Sequence, residues 1–162
     1  MLRHTLIATT LGLALALPAN AETKSYKMDS FQKLSVAAGV TVVFEASDSQ
    51  SIVAENKNGN FDKLILKTSG DTLIISRESS GWLGFGNREN YTVRISAPAI
   101  SAVSASSGAQ VQASGIASER VSLKVSSGAN LDAMDISAGS VALAASSGSC
   151  LLYTSPSPRD RG

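Results

Sequence analysis

The side chains whose types and spacing could do chemistry are Asp132 and Asp135, with Lys124 shortly before them. Two carboxylates can hold a calcium ion while a neighbouring lysine acts as base, the equipment of a polysaccharide lyase. The surrounding sequence argues against that use. Asp132 follows the apolar Leu131 and should point to water, and a pair of acids at a corner is ordinarily solvated. Gln112 stands in the slot one repeat before Asp132, so no acidic cluster builds up across repeats. The chain has 1 histidine, His4, and 1 cysteine, Cys150, both in end segments set aside below. Residues 22–149 therefore contain no His and no Cys. That removes thiolate or imidazole zinc sites, Ser-His and Cys-His nucleophiles, and disulfides. No catalytic residue, metal ligand or cofactor is expected.

Binding is a better prospect than catalysis. The segment "RESSGWLGFGNREN" (77–90) sets Trp82 and Phe85 among glycines and charges, with Arg88 close by, in a chain only 5% aromatic. Exposed aromatics anchor interfaces and stack on sugars, so Trp82, Phe85 and Arg88 are the candidate binding residues. The same ring systems could instead fold back over an open end of the core as a cap. A second candidate is the tripeptide Ser-Ser-Gly at 106–108, 126–128 and 146–148. Its serines should line up along one edge, and without a histidine to activate them they serve turn chemistry before anything else.

Strands must position these groups, since helix signals are nearly absent after residue 21. "LSVAAGVTVVFEA", "SIVAE", "LILKT", "TLIISR" and "YTVRISAPAISAVSA" alternate apolar and polar residues with β-branched types prominent. "TSGDT" reads as a hairpin turn, and Pro98 should sit at a strand end or bend. From Ala99 onward the pattern repeats every twenty residues. Val103, Leu123 and Leu143 share one slot; Val111 and Leu131 share another, as do Ile116 and Ile136. A strict period with strands and no helices predicts an all-β fold: a parallel β-helix or solenoid with about 20-residue coils and Ser-Ser-Gly turns. Glycine suits those turns because it takes positive φ without Cβ strain. An antiparallel sandwich with short hairpins shows the same alternation and stays open as the alternative.

Both ends stand apart. "MLRHTLIATTLGLALALPANAE" has a positive start, an apolar run and Ala19-Asn20-Ala21, so residues 1–21 read as a secretory signal peptide. No lipobox cysteine follows it, and the mature chain is expected to carry no transmembrane segment. Residues 150–162, "CLLYTSPSPRDRG", break the composition and back-translate readily into a string that looks like a sequencing adapter read through in frame. A non-native tail is therefore expected, with a natural disordered Pro/Arg tail as the alternative. The domain is accordingly expected over residues 22–149, truncated at its C-terminus. Arg3, Arg159, Arg161 and Asp160 lie outside it, which leaves a nearly neutral domain with no basic run, and no nucleic-acid partner is expected.

Taken in order, "FQKLSVAAGVTVVFEASDSQSIVAE", "LKTSGDTLIISR" and "YTVRISAPAISAVSASSGAQV" resemble the head GIN domain family of putative autotransporter adhesins over about residues 31–149. That resemblance implies a right-handed β-helical fold, an extracytoplasmic place in a Gram-negative envelope, and adhesion. It supplies no catalytic residues to carry over. The expectation is an exported, non-enzymatic envelope protein, adhesin-like or structural, in the periplasm, at the outer surface or outside the cell. A periplasmic accessory domain binding a glycan or envelope component is the alternative reading, and a polysaccharide lyase-like enzyme the third. Partners would be a glycan, an envelope or surface protein, or a second copy in a homo-oligomer.

Overall fold

The computed structural model describes residues 21–78 and 89–156. These form β1 (Glu22–Tyr26), β2 (Lys33–Val36), β3 (Thr41–Ala46), β4 (Ser51–Asn56), β5 (Leu64–Ser69), β6 (Thr72–Arg77) and β7 (Thr92–Ala97). There follow β8 (Ala102–Ala105), β9 (Gln110–Ser114), β10 (Ala117–Val125), β11 (Asn130–Met134), β12 (Ser137–Ala145) and β13 (Cys150–Tyr153). Sheet A has the order β1-β4-β7-β3-β9-β11-β13, and sheet B the order β12-β10-β8-β2-β6-β5.

Alternation decides which side chains enter the core. Leu34 and Val36 on β2, Val103 and Ala105 on β8, and Leu123 and Val125 on β10 are buried from sheet B. Val42 and Phe44 on β3, Val93 and Ile95 on β7, and Leu131 and Ala133 on β11 are buried from sheet A. All belong to one hydrophobic cluster shared by the two sheets. Each fully buried Val, Leu or Ile contributes roughly 1.5–3 kcal/mol relative to an exposed position. Tyr91 is among the largest buried side chains, and its hydroxyl donates to the Glu89 carboxylate. Burial first, and that anionic neighbour second, push the Tyr91 phenol up to about 12.

The expected right-handed parallel β-helix over residues 22–149 is overturned. The all-β chain forms two mixed sheets whose strand order does not follow the sequence as successive helical coils would. β4 runs antiparallel between β1 and β7, and β5 runs antiparallel to β6. β2 and β3, early in the chain, sit in mid-sheet beside β8 and β9. The physical reason lies in residues 46–101, which carry no twenty-residue period. Their short turns return the chain alongside itself, as at Gly70 (φ 58) between β5 and β6. Where the period does hold, it appears as lateral parallel pairing. Leu123 faces Val103 on one side and Leu143 on the other, and Leu131 faces Val111 and Leu151. Pro98 directly follows β7, where its missing N–H interrupts no ladder.

Each Ser-Ser-Gly lies at a corner where the chain leaves sheet B for sheet A. Glycine shares the positive φ there with the serine before it: Ser107 (φ 51) with Gly108 (φ 73), Ser127 (φ 53) with Gly128 (φ 71), Ser147 (φ 53) with Gly148 (φ 69). The Ala109 amide closes the first turn on the Ser106 carbonyl at 3.1 Å, and Ala129 closes the second on Ser126 at 3.1 Å. Two consecutive positive φ values with that bond are the signature of a type I′ turn. Neighbouring corners are joined through the backbone, with Gly108 N–H donating to the Ser127 carbonyl and Gly128 N–H to that of Ser147, both at 3.1 Å. Ala37-Ala38-Gly39 makes a corner of the same kind, with Ala38 at φ 59 and Gly39 at φ 70.

Candidate functional site

The carboxylates and lysine singled out from the sequence do not come together. Asp132 projects outward from sheet A between the buried Leu131 and Ala133. Lys124 projects outward from sheet B between the buried Leu123 and Val125, so the core separates base from acid. Asp135 follows β11 at φ 55, its amide donating to Thr154 Oγ1 at 3.4 Å. Among the described residues no three metal-ligating side chains gather. Trp82, Phe85 and Arg88 lie outside the described residues.

Sheet B brings together a set of residues that the sequence keeps far apart. Its outward positions form cross-strand rows. Lys124, Ser104, Ser35, Ile74 and Lys67 share one row across β10, β8, β2, β6 and β5. Ser122, Ala102, Lys33 and Thr72 share the next. Arg120, two residues before Ser122 on β10, continues the face. Lys33, Lys67, Arg120 and Lys124 are all exposed, and among the described residues no carboxylate occupies a position with their alternation. Glu119 has the opposite alternation. Among the described residues Asp71, in the β5–β6 turn, reaches the face, with its carboxylate 2.9 Å from Lys33 Nζ. The hydrogen bond from Lys33 holds the Asp71 carboxyl below the usual carboxylate range.

Between the cations the floor is small. Two adjoining depressions of about 470 and 400 Å3 lie on this face and share Lys33, Ala102 and Ser122. Arg120 borders the larger and Lys124 the smaller. Serine and alanine leave this room because they rise little above the backbone. Sheet A differs in sign: its outward positions carry Glu45, Glu55 and Asp132 against Arg94. There Arg94 Nε lies 2.6 Å from Glu55 Oε1, whose side chain is only 8% exposed.

One face of the molecule is therefore cationic over a shallow floor, and the other is anionic. Isolated surface charges contribute little each. Spread over one flat face, they act together on a ligand long enough to meet several. No basic run appears along the chain because the cations come from β2, β5 and β10, which only the fold makes near neighbours. Lys33, Arg120 and Lys124 sit in polar slots of alternating strands, while Lys67 shares its alternation with Ile65, so the usable signal was the sign of the outward slots in each sheet.

The family profile described as "Putative auto-transporter adhesin, head GIN domain" matches residues 30–154. No curated protein matches the chain. Among solved structures, a putative adhesin from Bacteroides fragilis NCTC 9343 is similar at TM-score 0.70 and 12% identity, covering 83% of this chain and 62% of that one. A putative adhesin from Parabacteroides merdae ATCC 43184 gives TM-score 0.69 and 14% identity over 83% of this chain and 56% of that one. A putative lipid binding protein from Parabacteroides distasonis ATCC 8503 gives TM-score 0.52 and 16% identity, over 77% and 60%. At such identities the likeness concerns the fold. The chain spans about three fifths of the length of these structures.

Proposed function

The chain belongs to the head GIN domain family of putative auto-transporter adhesins, and on that premise we propose that it is an exported, non-enzymatic, adhesin-like module whose contact surface is the outward face of sheet B. One observation carries the reading: Lys33, Lys67, Arg120 and Lys124 share that face, where among the described residues no carboxylate has the same alternation and Asp71 reaches Lys33 alone. A flat face built from the sheet itself suits an extended partner better than a small molecule, which needs an enclosing cleft. Among the described residues no helix is long and apolar enough to cross a membrane. The place of action we propose is the cell envelope or its exterior, reached through the leader in residues 1–21. Residues 22–149 are proposed as the native unit and 150–162 as a foreign tail, although Cys150–Tyr153 pair with β11 as β13 and the family match runs to residue 154; sequencing the locus tests this. Trp82, Phe85 and Arg88 are proposed as a second contact.

The reading is tested by retention of the labelled protein on isolated cell envelopes. The protein should be held, and the Lys67→Glu/Lys124→Glu variant should be released severalfold more readily at unchanged thermal stability. Retention that is absent, or indifferent to that double reversal, defeats the reading. Loss of retention in Trp82→Ala alone would move the contact to the second site.

A further inference from the structure

We infer that the cationic face of sheet B binds a linear acidic polysaccharide lying across the strands. This rests on the proposed contact surface and adds the chemistry of its partner. The cations are spaced for an extended ligand. Lys67 and Lys124 occupy one row on strands four steps apart, roughly 19 Å at ~4.8 Å per step. Lys33 lies between them, one row over, about 12 Å from the backbone positions of both Lys124 and Arg120. Lys33 shares the larger depression with Arg120 and the smaller with Lys124, yet its ammonium is held 2.9 Å from the Asp71 carboxylate and Lys67 borders neither, so a compact phosphate or carboxylate would not engage the whole set. A chain with a charge on successive units meets several, and its affinity accumulates by effective concentration.

The floor selects among polyanions. Ser35, Ser104 and Ser122 offer hydroxyls beside the small Ala102 and Ala142, and the two depressions can seat sugar rings while carboxylates reach the rim. A phospholipid surface calls for apolar or aromatic side chains that enter it. Among the described residues the exposed large apolar side chains, Met134, Leu143, Leu152 and Tyr153, are absent from these outward rows, and Ile74, between Ser35 and Lys67, is partly buried. Single-stranded nucleic acid calls for stacking aromatics, and among the described residues these rows contain none.

Calorimetric titration with polygalacturonate oligomers of increasing length is the test. Affinity should climb with length until an oligomer spans roughly 19 Å, then level off, and it should collapse near ~1 M salt, where the screening length is ~3 Å. Lys67→Glu and Lys124→Glu should each weaken the longer oligomers roughly tenfold, as expected for reversing a charge in an electrostatic contact. Lys57→Glu, the same charge change in the turn after β4, should leave binding intact. Length-independent binding, equal weakening by Lys57→Glu, or equal affinity for duplex DNA or anionic phospholipid vesicles overturns the inference. Envelope retention that depends on Lys67 and Lys124 without polygalacturonate binding defeats this inference alone and leaves the contact surface standing.

Discussion

The Gly39 amide donates to the Ser107 carbonyl at 3.0 Å, which makes Ala37-Ala38-Gly39 a direct neighbour of the first Ser-Ser-Gly corner. Four corners thus stand side by side, drawn from residues 37–40, 106–109, 126–129 and 146–149.

Ala38 holds φ 59 in that row, a conformation that costs an L-residue with a Cβ roughly 1–2 kcal/mol. Ala38→Gly relieves the strain but loosens the unfolded chain, so a net gain of about 0.5–1 kcal/mol is expected in urea denaturation. Asparagine at the same place should behave alike. A loss of stability in both would show that the corner is not under strain.

Leu123 and Leu143 share a slot on adjacent strands, yet Leu123 is 0% exposed and Leu143 is 45% exposed. Leu123→Ala should cost about 2–5 kcal/mol and Leu143→Ala well under half of that. Thermal unfolding of the two variants measures the contrast. Equal losses would mean that β12 is covered in solution.

Glu55 is nearly buried and bonded by Arg94, which is half exposed. Removing the arginine strands the carboxylate, so Arg94→Met should destabilise by roughly 1–3 kcal/mol. Adding Glu55→Gln should restore part of that loss, and a double-mutant cycle reads the coupling. Purely additive effects would show the pair to be incidental.

The Tyr91 phenol titrates near 12 in the folded chain and near 10 when unfolded. Below pH 10 both states keep the proton and stability is undiminished. Between pH 10 and 12 the unfolded chain loses its proton while the native one retains it. Stability must fall through that window, by about 1–2 kcal/mol once solvent screening of the part-buried hydroxyl is allowed for. Tyr91→Phe should remove this part of the alkaline decline, seen as the difference between the two pH–stability curves. Identical slopes in both proteins would contradict the assigned shift.

The strands were legible from the sequence wherever alternation was clean, and so were the twenty-residue neighbours of β8 to β13. Their pairing partners elsewhere were not. Alternation of period two is the same in parallel and antiparallel ladders, so "SIVAE" says nothing of lying antiparallel between β1 and β7. The corner at Ala37-Ala38-Gly39 is not legible in the sequence because it replaces both serines and sits off the twenty-residue spacing. The glycine's positive φ could be read from its type, but the serine's could not, since side chains rarely accept it. The cationic face stayed hidden for a related reason: Lys33, Lys67 and Lys124 come from separate segments, and nothing local says that they share a sheet. The lysine and aspartates near residue 130 looked adjacent in sequence while alternation and the corner between them sent them to opposite sides.

β2 and β3 are held in mid-sheet by strands synthesised long after them. As the chain leaves the ribosome, Leu34, Val36, Val42 and Phe44 emerge with neither flank yet made. The second flank is complete only when Ser114 has appeared. Closure that waits on such distant segments is slow, and the nascent polypeptide stays open for much of its elongation. That delay leaves it open to proteases and to sticking to its own copies.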